Sequence, residues 1–141
     1  MVLSRLTSRT DLKAVMPRRS FTILSEIDAI TRINEHGGSN QIAFRRLCSE
    51  SDFDSPIDFI DFTVIPSQST IGWHAHQGNE EAYFIAAGRP LMRVQDEVRR
   101  LTKGDLSVVR SGESHELIND TDEDVEILVF QVRLPSSEPP Q

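Results

Sequence analysis

Cysteine is nearly absent from this chain. Cys48 stands alone, so no intrachain disulfide can form, which fits a reducing, cytoplasmic setting. Cys48 itself reads as a small apolar residue on a strand rather than a reactive thiol. No apolar run approaches the ~20 residues that span a bilayer, so a membrane helix is not expected. The first residues lack the apolar stretch of a secretory signal. Basic charge is also scarce. The formal net charge is −7, which argues against a nucleic-acid partner, since that requires a basic stripe. The basic residues that exist are unevenly placed. Arg5, Arg9, Lys13, Arg18 and Arg19 stand against Asp11 alone in residues 1–20, a net +4 that leaves −11 on the other 121 residues. Such a leader is either a basic arm packed on an acidic neighbour or an organelle presequence.

What remains is an ordinary globular composition. Apolar residues make up 38% and charged residues 26% of 141, enough for one domain with a real core. Residues 1–39 read as an N-terminal arm, with a short strand at 21–24 and a helix from Ser25 to Asn34. Ser25 would cap that helix, Glu26 and Asp28 would lie in its first turn, and Gly37-Gly38 would end it. From residue 41 the chain reads as short strands between turn residues: 42–48, 57–65, 81–87, 91–94, 98–101, 106–109, 115–119 and 125–132. The longest, 57–65, carries apolar residues on both faces, so both should be covered. Gln95-Asp96-Glu97 looks like a hairpin turn. Residues 134–141, with three prolines, read as a disordered tail. Many short strands with close turns indicate an all-β sandwich or barrel over residues 40–133.

Histidine placement carries the chemistry. His74 and His76 are one residue apart, so on an extended strand their side chains share a face. Glu80 and Glu81 follow after the loop Gln77-Gly78-Asn79, and His115 starts a later strand. In a barrel, inward residues of different strands meet around one cavity. Neutral imidazole and carboxylate together suit zinc, iron, manganese, nickel or copper.

Two spaced patterns follow: His74-x-His76-x4-Glu81-x6-Gly88, and Gly104-x5-Arg110-x-Gly112-x2-His115-x3-Asn119. Both resemble the two motifs of the cupin superfamily in residue type and spacing, over about a third of the chain. The departure is Arg110, where cupins usually carry a proline that stiffens the turn. The resemblance implies a small single-domain cupin, a double-stranded β-helix or jelly-roll barrel. It implies one divalent ion (iron, manganese, zinc or nickel) held by His74, His76, Glu81 and His115. Glu81 has the motif's spacing to Gly88, with Glu80 as the neighbouring alternative. If Glu81 faces inward, Tyr83 and Ile85 share its face, and Glu80 and Phe84 face away.

Tyr83 and Glu80 are the candidate catalytic groups, through hydrogen bonding or proton movement. An inward arginine from the adjacent Arg45 and Arg46 would suit an anionic substrate, and Arg93 shares that ambiguity. Asp58 and Asp61 lie on opposite faces of their strand. Trp73 should point away from His74 into packing. Asn119 should support structure, and His36 should sit in a solvated loop. By resemblance, the protein acts on a small-molecule substrate or ligand. An oxidoreductase or dioxygenase-type reaction is favoured, with a lyase, decarboxylase, cyclase or isomerase as alternatives, and a non-catalytic ligand-binding module as a further one. The resemblance also implies a homodimer, paired through strand addition from the N-terminal arm, with residues 1–24 as candidates, or by sheet packing.

Overall fold

The computed structural model describes residues 18–136. Ten strands make up the fold: β1 Ile30–Ile33, β2 Gln41–Ser49, β3 Ile57–Ile65, β4 Thr70–Ala75, β5 Asn79–Ala87, β6 Leu91–Val94, β7 Glu97–Arg100, β8 Leu106–Val109, β9 Ser114–Ile118 and β10 Val125–Arg133. They form two antiparallel sheets, one in the order β1-β2-β3-β10-β5-β8 and the other β4-β9-β6-β7. The all-β, jelly-roll expectation therefore holds. Alternation along the strands explains the packing. In β3, Asp61, Thr63 and Ile65 are buried while their neighbours are only partly so. In β10, Val125, Ile127 and Val129 point inward. With Ile85, Met92 and Leu117 they fill the space between the sheets.

The N-terminal segment differs from the sequence reading. Among the described residues there is no α-helix. Ser25–Asn34 is a 3-10 turn at Leu24–Glu26 followed by β1, and Phe21–Leu24 is not a strand. The first cap is Ile23, with no side-chain bond, so Ser25 does not act as an N-cap. Ile30, Thr31 and Ile33 are β-branched and favour a pleated surface. The edge of β2 offers unpaired backbone groups, and Ile30 pairs with Phe44 and Ile33 with Gln41. That pairing outweighs the weak helical signal of a short segment. Gly37 belongs to a second 3-10 turn, Glu35–Gly37, instead of closing a helix.

Arg18 and Arg19 pair with Asp54 and Asp52, both at 3.0 Å, so the basic segment meets acidic residues of its own chain there. Arg5, Arg9 and Lys13, and the final prolines Pro139 and Pro140, lie outside the described residues. Among the described residues no helix is long and apolar enough to cross a membrane.

Candidate metal centre

The strand register brings the two histidine clusters together. β4 pairs with β9 so that His74 lies directly opposite His115. The chain leaves β4 at Ala75, and His76 is held at the strand's end. Its N–H donates to the Glu113 carbonyl at 3.0 Å, and its own carbonyl accepts from Gly112 N–H at 2.7 Å. Gly112 has φ +88°, the left-handed position that a type II turn reserves for glycine. Where the cupin pattern has proline, Arg110 uses a donor that proline lacks: its N–H binds the Glu113 side chain at 2.8 Å. Hydrogen bonding thus braces the turn in place of a ring. Glu81 arrives from the opposite sheet, on β5 between β10 and β8.

The ligand atoms of His74, His76, Glu81 and His115 all lie within 4.8 Å of one another. The three Nε2 atoms form a near-equilateral triangle: His76 to His74 is 3.2 Å, His76 to His115 is 3.1 Å, and His115 to His74 is 3.1 Å. A Glu81 oxygen lies 3.4 Å from His76 Nε2 and 3.3 Å from His115 Nε2. His76, Glu81 and His115 are buried, and His74 is half-buried.

Hydrogen bonds on the far side of the rings decide what these nitrogens present. His74 Nδ1 lies 2.7 Å from the Gly72 carbonyl, which can only accept, so Nδ1 carries the proton. His76 Nδ1 lies 2.7 Å from Asn79 Oδ1. The Asn79 amide is oriented by its NH2 donating to the Gln77 carbonyl, so His76 Nδ1 is also the donor. With both rings neutral, each turns a bare Nε2 lone pair toward the other across 3.2 Å. Two lone pairs at that distance repel, and a cation between them relieves it. This is the arrangement that metal-ligating histidines show, with the outer N–H fixed by an acceptor. The donor set, three imidazoles and one carboxylate, fits a divalent transition ion. His115 Nδ1 is buried with no hydrogen-bond partner among the described residues.

Electrostatics match this arrangement. Burial, reinforced by the neighbouring histidines, pushes His74 down to about 4 against the Gly72 hydrogen bond. Burial likewise lowers His115, opposed by Glu81. His76 is raised, chiefly by its contact with Glu81, which outweighs burial. Burial favours the neutral Glu81 carboxyl, but His115 and His76 together prevail and hold it at about 2. These directions favour a carboxylate at Glu81 and neutral imidazoles at His74 and His115, while the Glu81 contact favours the proton on His76 until a cation displaces it.

Tyr83 is almost fully buried with its ring 4.8 Å from that of His115. Burial, then the Glu81 charge, pushes its phenol well above the ordinary value. Both effects hold the phenol in its protonated, donor form. Glu80 neighbours the group but lies outside it. It alternates with Glu81 along β5 and pairs with Val132, so it is not placed to touch a ligand of the centre. Trp73 is exposed instead of packed, and its ring lies under the Arg93 guanidinium at 4.2 Å. Of the adjacent pair, Arg46 lines the cavity, as does Arg32, and Arg45 instead donates to the Ile27 carbonyl at 2.8 Å. Asp58 pairs with Arg133, and Asp61 with Arg46. Asn119, fully buried, donates to the carbonyls of Ile65 and Glu123 and accepts from Thr121, a supporting role.

His36 is exposed in a turn, as expected, but it is not free of the centre. Its ring stacks on His74 at 3.7 Å and 11°. The turn that carries it presses on Gly72, where a Cβ would lie 2.3 Å from the His36 carbonyl. Nothing in the spacing of a lone histidine 38 residues upstream marks this contact. The glycines at 37, 38 and 72 were the only trace of a close approach. A cavity of about 240 Å³ opens beside the centre, reaching Glu81, Tyr83 and His36. A larger, open groove of about 540 Å³ between β6–β7 and β8 contains none of the four residues.

A family model described as "Cupin domain" matches residues 61–131. The chain is 27% identical over 110 residues to an oxalate-binding protein of Thermotoga maritima, covering 78% of this chain and 91% of that one. It is similar to the crystal structure of a predicted oxalate decarboxylase from the same organism. There the TM-score is 0.78 and the identity 26%, over 81% of this chain and 99% of the other. KdgF from Halomonas sp. shares the fold, with a TM-score of 0.64 and 20% identity over 82% of this chain and 96% of that one.

Proposed function

This chain belongs to the cupin family, and from that premise we propose that it is a metal-dependent protein acting on a small organic acid. His74, His76, Glu81 and His115 would hold one divalent ion: iron, manganese, zinc or nickel. The observation that carries the reading is the inward pair of bare Nε2 lone pairs, forced by the outer bonds to Gly72 and Asn79. The chemistry such an ion supplies is Lewis acidity toward the acid's oxygens and, for iron, electron exchange with dioxygen. The chain's own residues orient the ligand. Tyr83, protonated and close to His115, offers a hydrogen bond to an oxygen bound in the cavity.

A carboxylic acid as ligand is supported by the names of the Thermotoga maritima relatives, an oxalate-binding protein and a predicted oxalate decarboxylase. Decarboxylation, or another non-oxidative reaction, is the outcome those names favour, with binding without turnover as the simpler form. A dioxygenase-type oxidation is the second reading, and it rests on the three-histidine, one-carboxylate donor set alone. Oxygen consumption by the iron-loaded protein in the presence of an organic acid separates the two. We also propose that the working unit is a homodimer.

Elemental analysis tests the centre. The purified protein should carry about one divalent ion per chain, and His76→Ala and His115→Ala should each lose it. Unchanged metal content in both variants would refute the centre. Oxalate titration by calorimetry should give binding to the metal-loaded protein that a chelator abolishes.

A further inference from the structure

We propose that His36 is a positioning residue of the metal centre, fixing the plane of the His74 ring by stacking on it. This rests on the reading of the four residues as a metal centre and adds to it a residue from outside the two histidine motifs. His36 precedes the residues that the family model matches, 61–131, so the family pattern gives it no role.

His74 is the ligand that needs support. His76, Glu81 and His115 are buried, but His74 is only half-buried. The Gly72 carbonyl, 2.7 Å from Nδ1, holds one atom of the ring and does not by itself set its plane. The other two imidazoles offer no flat wall, because they lie at 55° and 63° to His74. His36 does. Its ring lies 11° from parallel, with the centroids 3.7 Å apart, so the two rings overlap almost face to face. Like rings in that arrangement gain less than offset ones, because their electron-rich faces oppose. A cation on His74 Nε2 reverses this. It draws electron density from the His74 ring, and the electron-rich face of His36 then meets a positive partner. A Glu35 oxygen 3.4 Å from His36 Nε2 adds negative charge on the His36 side. The stack therefore favours the loaded centre.

The backbone keeps this exposed ring in place. Gly37 N–H donates to the Asn34 carbonyl and Gly38 N–H to the Glu35 carbonyl, both at 2.9 Å, which closes the turn. The turn is then tied to β4. Ser39 N–H donates to Thr70 Oγ1 at 2.7 Å, and Thr70 N–H donates to the Ser39 carbonyl at 3.0 Å. Gly72, lacking a Cβ, admits the His36 carbonyl. Both restraints on His74, the Gly72 carbonyl and the His36 ring, thus come from one contact between the turn and β4.

The test separates ring from backbone. His36→Asn removes the ring but keeps a residue type that tolerates the φ of +51° found there. His36→Phe keeps a flat ring without its nitrogens. Metal-free full-length protein is titrated with cobalt(II) against a competing chelator, and the visible cobalt(II) bands report the ligand field. We expect His36→Asn to weaken cobalt(II) binding about three- to tenfold, the span that an aromatic pair supplies, and to shift the bands. His36→Phe should restore both. In metal-free unaltered protein, the ring current of His36 should move the His74 ring protons upfield in the proton NMR spectrum, a measurement that needs no variant to fold. Unchanged affinity in His36→Asn, even with a lowered melting temperature, would make the residue merely structural and overturn the proposal. Equal losses in both variants, or unshifted His74 protons, would overturn it too. Failure of the unaltered protein to take up cobalt(II) would instead strike the metal-centre reading, and the proposal with it.

Discussion

Asn79 shows how much a single side chain can decide here. It touches no ligand position, yet it fixes the tautomer of His76 by accepting from Nδ1 while anchoring its own amide to Gln77. Removing such an outer partner costs about 10- to 100-fold in metal affinity. Asn79→Ala should therefore weaken binding by that factor in a competition titration against a chelator, while circular dichroism stays unchanged. Protonation of the same residues sets a pH dependence for the metal-free protein. His74 is held at about 4 against an ordinary 6.5, so the unfolded chain binds the extra proton between those values. Stability falls as pH drops from 6.5 to 4. Glu81, held at about 2 against 4.5, contributes stability that is lost as pH falls between those limits. His76 works the other way. Its raised value makes its contribution complete below 6.5 and lost as pH rises through the folded value. Denaturant midpoints of metal-free protein from pH 7 to 4 should decline, and a midpoint that rises steadily on acidification would contradict the placement of His74.

β4 and the turn at Glu35–Gly37 act as one unit. Gly72 lets the turn's backbone approach so closely that a Cβ there would lie 2.3 Å from the His36 carbonyl and 2.6 Å from Gly38 N. These are backbone atoms with no flexible end to move aside. Overpacking of this kind costs about 1–3 kcal/mol. Gly72→Ala should lower the melting temperature by several degrees. It should also weaken metal binding, because the shift separates His36 from His74, and because the Gly72 carbonyl is the acceptor that orients His74. Unchanged stability and unchanged affinity would show that the turn yields without strain. The same turn holds Asn34 and His36 at φ +53° and +51°, left-handed conformations that non-glycine residues adopt only where packing over-determines them.

For the molecule as a whole, the uncovered surface points to self-association. Phe21, Ile23, Ile30 and Ile33 are all more than half exposed, and all fall within one short stretch ending in β1. β1 is the outer strand of its sheet, with one backbone edge unpaired among the described residues. Long exposed apolar edges are what natural sheets normally cover. Light scattering after gel filtration should report twice the chain mass. Replacing both Ile30 and Ile33 with lysine should shift the protein to a monomer while leaving metal content at one per chain. A monomer for the unaltered protein would refute the dimer.

Local order in the chain was enough for the barrel and for the four residues that could hold a metal ion. A period of two puts His74 and His76 on one face, and the backbone bonds of His76 to Glu113 and Gly112 keep it there past the end of β4. The spacing from Glu81 to Gly88, and from Gly104 through Gly112 to His115, carried the family. Helix and strand were misjudged at 21–34. There the local signals were weak, and pairing with β2, which is invisible in a linear string, made the choice. Only the folded arrangement could place His36 on His74, give Arg46 rather than Arg45 to the cavity, and neutralise that arginine with Asp61. Those contacts join residues 15 to 38 positions apart, on elements whose meeting depends on sheet order and twist. The candidate ligands were legible because the chemistry is written in residue type and short spacing. The shape and charge of the cavity depend on which distant side chains become neighbours, and packing alone decides that.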